Sequence, residues 1–167
     1  MAVTVIATAK SATANSYVTL AESDTYFEGR LDVTEWTSVT DDEKNRAIVM
    51  ATGRLEQEDY WGSVTDIDQA LKWPRNGLTD EDGRLIDDDT IPSRIKNACQ
   101  ELALELLGGG VALIDTGLEG FINVKVGSLD VTPRVSRIAG TLPANVRRLL
   151  SIWHTAASDL TVHITRA

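Results

Sequence analysis

One cysteine, two histidines and four prolines in 167 residues leave little material for several common chemistries. The lone Cys99 permits neither an intramolecular disulfide nor a cysteine zinc cluster. Set in an apolar helical stretch, it reads as a packed core thiol rather than a nucleophile. His154 and His163 have no motif partner. The chain has no Gly-x-Ser-x-Gly elbow, no Gly-x-x-x-x-Gly-Lys phosphate loop, no His-Glu-x-x-His pair and no Rossmann fingerprint. These absences predict no catalytic set, no metal and no cofactor. No apolar run approaches the roughly 20 residues of a membrane span. Lys10 follows the apolar part of the N-terminus instead of preceding it, the wrong order for a signal peptide. The expectation is a cytosolic, soluble product with no membrane partner. Positive charge is scarce, 16 Lys and Arg against 25 Asp and Glu, for a net charge of −9. That argues against the broad basic surface that binds duplex phosphates.

What is present is organised around residues 68–107. Trp73-Pro74-Arg75 cannot sit inside a helix, because Pro74 lacks a donor and disfavours helical geometry at Trp73. Asn76-Gly77 and Asp82-Gly83 are turn pairs suited to positive φ. Pro92 then opens a helix running to Leu107, with Pro92 in its first turn. Ile95, Ala98, Leu102 and Leu106 form its stripe, and Ala103, Leu104 and Leu107 widen it, so burial on more than one side is expected. Gly108-Gly109-Gly110 stops it. A turn-rich loop bearing a tryptophan thus leads into a buried helix, with Trp73, Pro74 and Arg75 as the loop anchor.

Around this centre the sequence predicts a mainly α chain, a small helical bundle with a β-hairpin or extended arm and mobile termini. Residues 1–14 read as a flexible N-terminal arm, in which Val3, Val5 and Ile6 equally suit a short strand. Residues 15–157 read as one helical domain, long enough to bury a core. Capping boxes at Thr19–Glu22 and Thr40–Glu43 start two helices. The first carries Tyr26 and Phe27 inward and ends near Gly29, and Trp36 follows in a connector. The second puts Ile48, Ala51 and Leu55 on one face and runs to about Tyr60, where Trp61-Gly62 closes it. Arg84-Leu85-Ile86 suits a short strand. Within an arm over residues 119–137, Phe121 to Val126 and Leu129 to Val131 alternate around a Gly127-Ser128 turn. A lone two-stranded hairpin is marginal, so it must lie on the helical core or add to another chain. A last helix from Leu142-Pro143 sets Val146, Leu149, Leu150 and Trp153 at helical spacing, with Arg147 and Arg148 on the polar side. Residues 158–167 form a tail, strand or disordered.

Two clusters invite sharper readings. Asp80, Asp82, Gly83 and Asp89 fall at positions three, five, six and twelve of an EF-hand loop. Leu78 stands at position one, however, and Pro74 and Gly77 spoil the entering helix, so turn chemistry accounts better for these acids. Asp87-Asp88-Asp89 before Pro92 suits a helix N-terminus. Tryptophans stack on single-stranded bases where cations hold the phosphates, and only Trp73 has such neighbours, Lys72 and Arg75.

Ala14-Asn15-Ser16-Tyr17-Val18-Thr19-Leu20-Ala21-Glu22, Gln69-Ala70-Leu71-Lys72-Trp73-Pro74-Arg75, Ile91-Pro92 and the Ile95–Ala103 helix together resemble a tailed-phage family. The final Leu142–Leu150 motif fits it too. Its members, often labelled DnaT-like single-stranded-DNA-binding proteins, look like head–tail connector (adaptor) proteins. This resemblance implies a structural virion protein at the neck, made in the host bacterial cytoplasm. It would be a homo-oligomer, a ring that is dodecameric in the usual case. The ring docks under the portal protein and meets a tail terminator, stopper or tail tube protein. Duplex DNA passes through its channel without specific binding. On that reading Phe121, Ile122, Val124, Val126, Leu129 and Val131 form the subunit or portal interface arm. Arg147, Arg148, His163 and Arg166 are candidate docking residues. The alternative is a single-stranded-DNA-binding protein of replication, dependent on Trp73 and Arg75.

Overall fold

Thr19 and Thr40 each open a helix in the same way. The threonine hydroxyl accepts the N–H of the third helical residue, Glu22 or Glu43, whose carboxylate accepts the threonine N–H in return. These reciprocal bonds satisfy donors that a helix start leaves unpaired. The computed structural model describes residues 3–109, 124–126, 129–131 and 142–154, the two short segments of 124–131 by their backbone alone. Over these residues the architecture is mainly helical: α1 (Leu20–Glu28), α2 (Thr34–Thr37), α3 (Asp41–Leu55), α4 (Ser93–Leu107) and α5 (Ala144–Leu150). Two antiparallel pairs join them, β1 (Ser63–Val64) with β2 (Arg75–Asn76) and β3 (Val124–Val126) with β4 (Leu129–Val131).

The α4 helix is the centre. It packs on α3 along one side and α5 along another, with α1 and α2 completing the layer. Its wide apolar face makes this possible, since Ile95, Ala98, Cys99, Leu102 and Ala103 have no exposed surface. Ile48, Ala51 and Leu55 meet them from α3, and Val146 and Leu150 from α5. Each large aliphatic side chain buried this way contributes roughly 1.5–3 kcal/mol. One polar group crosses the core's edge. Glu101 of α4, buried, accepts from Tyr26 Oη at 2.6 Å and Asn145 Nδ2 at 3.1 Å, and pairs with Arg30. It ties α1 and α5 to α4 by charge-assisted bonds.

Several sequence expectations are corrected. The α3 helix stops at Leu55 instead of running to about Tyr60. Glu56, Glu58 and Asp59 crowd its C-terminal end, where the helix dipole disfavours negative charge. Tyr60 turns inward, its hydroxyl donating to the Leu55 carbonyl at 3.0 Å. Pro92 is the cap before α4, with extended ψ of 144°, and is not part of its first turn. Trp36 lies in the single turn of α2, where its Nε1 donates to Asp24 at 2.8 Å. Arg84-Leu85-Ile86 forms only an isolated bridge, Thr79 with Leu85, closed by the turn at Gly83. Residues 3–14 form no strand, and they run against the core: Val5 and Ala9 pack on it, and Ile6 N–H donates to Asn15 Oδ1 at 2.7 Å. Here the segment read as a flexible arm is pinned by the Asn15 side chain, which also donates to the Thr4 carbonyl. In the β3–β4 pair Val126 stands opposite Leu129 and Val124 opposite Val131, the register that a two-residue Gly127-Ser128 connection requires.

Candidate interaction surface

The Trp73-Pro74-Arg75 stretch anchors the long loop, and its geometry shows how. Trp73 follows the chain into the core at 1 % exposure, between Tyr60 and Trp153 at ring-centroid separations of 5.5 and 5.4 Å. The Trp73–Pro74 peptide is cis. Arg75 turns back along the loop. Its Nε donates to the Trp61 carbonyl and Nη2 to the Gly62 carbonyl, both at 2.7 Å, while Nη1 reaches the Lys72 carbonyl at 3.2 Å. Burial lowers its pKa from the ordinary arginine value. The guanidinium fork matches this array of carbonyls, and it holds the turn at Gly62, where φ is +75°. Trp153 closes the far side, with Nε1 donating to the Thr79 carbonyl at 2.9 Å, and the Trp61 N–H donates to the Trp153 carbonyl at 2.8 Å. His154 pairs with Tyr60 as a β-bridge and meets Glu58 at 2.6 Å.

This placement removes the one stacking platform read from the sequence. Trp73 has no face for a base, and the Arg75 guanidinium is occupied by backbone carbonyls. The acidic loop is likewise spent on turns. Asp80 Oδ1 accepts the N–H groups of Asp82 and Arg84, at 3.0 and 2.9 Å, and Oδ2 pairs with the Arg84 side chain. Asp87, Asp88 and Asp89 bring carboxylate oxygens close together, but all three are exposed, as a solvated acidic face would be.

The remaining described cations follow one pattern. Every lysine and arginine whose side chain is described, other than Arg75, Arg147 and Arg148, reaches an aspartate or glutamate. Arg147 and Arg148 project from α5 exposed, and no side-chain partner is present for either among the described residues. The sequence had singled out these two. It had missed Trp61, which is 60 % exposed while every other described aromatic is buried or half-buried. Val64 and Ile67, on β1 and the loop after it, are exposed at 44 and 94 %. Exposed Asp59, Asp66 and Asp68 flank them. The legible signal was local: Trp61-Gly62-Ser63-Val64 follows an acidic helix end, with acids on both sides of Ile67. Of the interface arm, Val124, Val126, Leu129 and Val131 lie in the β3–β4 pair, while Phe121 and Ile122 lie outside the described residues, as do the docking candidates His163 and Arg166 and the whole 158–167 tail.

Cys99 is fully enclosed against Thr52 Oγ1 at 3.3 Å, and burial pushes its thiol up to about 12. The thiolate is the reactive form, so native protein should resist iodoacetamide at pH 8 and label fully once unfolded. Rapid native labelling, followed by mass spectrometry, would contradict this burial.

The whole chain, residues 1–167, matches the family model described as "Putative DnaT-like ssDNA binding protein". The chain belongs to this family. Searches of curated proteins and of solved structures find no match to it. The resemblance drawn from the Trp73-Pro74-Arg75 and Ile91-Pro92 motifs is thereby upheld as far as the DnaT-like family. In this member the most specific of those motifs is folded inward, as scaffold, while Trp61, Val64, Ile67 and the two α5 arginines are exposed, as are Leu31, Met50 and Leu85.

Proposed function

We propose that this chain is a structural virion protein, a head–tail adaptor that assembles as a ring under the portal of a tailed phage and lets duplex DNA pass. The observation that carries this reading is the state of its surface. Most cations with described side chains are consumed by internal pairs, Arg147 and Arg148 being left over, while a tryptophan and two aliphatic side chains stay exposed at and near the β1–β2 pair. Sliding DNA is best served by a wall with few phosphate-neutralising groups, since each such contact adds affinity. Exposed apolar groups ringed by polar ones mark protein contacts. The β3–β4 pair, two strands among the described residues, suits addition to a neighbouring chain. The test is imaging of this protein with a purified portal by cryo-electron microscopy, with a ring at the portal's tail-facing end as the expected result.

The family's printed description favours a second reading, binding of single-stranded DNA. That reading requires free cations beside stacked aromatics, and in the described residues the only exposed aromatic is Trp61. It predicts salt-sensitive binding of a labelled oligonucleotide with quenching of Trp61 fluorescence. The adaptor reading predicts no binding at 150 mM salt. Tight binding together with absence from portal complexes would replace the first reading with the second.

A further inference from the structure

We propose that Trp61, with exposed Val64 and Ile67 following it in the chain, is the seat for Arg147 and Arg148 of a second copy of this chain. The inference rests on the ring reading and gives that ring a described contact. Three observations meet in it. Among the cations whose side chains are described, Arg147 and Arg148 have neither an acid nor a carbonyl partner for those side chains. Trp61 is the one described aromatic with most of its surface in solvent. Asp59, Asp66 and Asp68, close to it in sequence, are exposed, and among the described residues Asp59 has Lys72 Nζ at 3.8 Å as its ion partner. A guanidinium stacks on an indole face and pairs with flanking carboxylates at once. Each half of such a contact therefore exists in every copy, and each is unfilled in one copy alone.

The halves come from different elements: Arg147 and Arg148 sit in the last turn of α5, whereas Trp61 belongs to the chain after α3, its N–H on the carbonyl of Trp153. A patch that meets a different patch on the next copy makes a head-to-tail contact, which propagates and closes when the rotation allows. This is the geometry a ring needs. A seat with exposed acids close by in the chain also selects its occupant, because a chain of net charge −9 has few free basic groups to offer.

The test uses full-length chain mixed with purified portal, scored by ring yield in electron micrographs. Arg147→Glu/Arg148→Glu should lower ring yield at least tenfold, and Trp61→Ala about fivefold, with melting temperatures unchanged because all three side chains are exposed. Adding Asp59→Lys and Asp68→Lys to the arginine variant should restore rings by exchanging the charges. A second measurement is independent of yield: Trp61→Cys/Arg148→Cys should give an oxidant-dependent ladder of linked copies on the portal, with Cys99 enclosed and silent. Rings at wild-type yield from the arginine variant, or no ladder from the double-cysteine chain on a formed ring, overturn the contact and leave the ring reading standing. No ring from the wild-type chain overturns the ring reading and the contact with it.

Discussion

Trp73→Ala lowers the stability of this protein by about 3–5 kcal/mol, the usual range for a large aromatic deleted from a packed site. Trp73 is 1 % exposed and sits where three parts of the chain converge: the loop that carries it, Tyr60 just after α3, and Trp153 just after α5. None of these can close on the space, because Tyr60 is held by the Leu55 carbonyl and Trp153 by the Thr79 carbonyl. The cavity therefore persists, and with it the loss of dispersion contacts. For a chain of this size the shift corresponds to a melting temperature lower by on the order of 10 °C. Calorimetry reads it directly. A melting temperature within about 2 °C of the wild type would show that the loop is not anchored through this ring.

The second large effect comes from a residue with no side chain. Gly62 has φ of +75°, and a Cβ built there would stand 2.4 Å from the Asn76 carbonyl oxygen and 3.0 Å from the Leu78 side chain. Left-handed backbone costs an L-residue roughly 1–2 kcal/mol, and the contact with a backbone oxygen cannot be relieved by a rotamer change. Gly62→Ala should therefore cost about 2–4 kcal/mol, since forced overpacking adds a term of similar size. The displacement falls on the β1–β2 pair and on the Arg75 bond to the Gly62 carbonyl. Gly77 and Gly83 provide the control, for both have positive φ and meet nothing within 4 Å. Urea denaturation should rank Gly62→Ala well above Gly77→Ala and Gly83→Ala. Equal costs at all three sites would mean that the backbone conformation alone matters and the close approach does not.

Trp73 lies in the stretch that the sequence marked and Gly62 at the helix close before it, yet the sequence assigned their causes only in part. Trp73-Pro74-Arg75 was legible as an anchor because proline chemistry forbids a helix there and turn pairs follow. Its cost to a nucleic-acid role was not legible. The same three letters, with Lys72, describe a stacking platform equally well until burial and the carbonyl partners of Arg75 are known. Trp61 shows the converse. Read as the close of a long helix, it belonged to an element that ends at Leu55, so its exposure could not be inferred from periodicity. The half of the candidate surface on α5 was visible, because Arg147 and Arg148 fall opposite Val146, Leu149 and Leu150 at helical spacing.

The sequence by itself determined the mainly helical class, the two capping-box starts, the apolar stripes of α3 and α4, the glycine stop at Gly108 and the two-residue connection between β3 and β4. These are short-range effects, set by bonds and contacts within a few residues, and the intervening chain does not alter them. The tertiary structure alone decided where α3 ends, which tryptophans are buried, which acids the cations meet and which face of the chain is left without a partner. Each of these depends on groups far apart in sequence, such as Trp73 with Trp153 and Glu101 with Arg30 and Asn145. Such pairings are chosen by competition among all surfaces of the chain for burial, and no local spacing encodes the outcome.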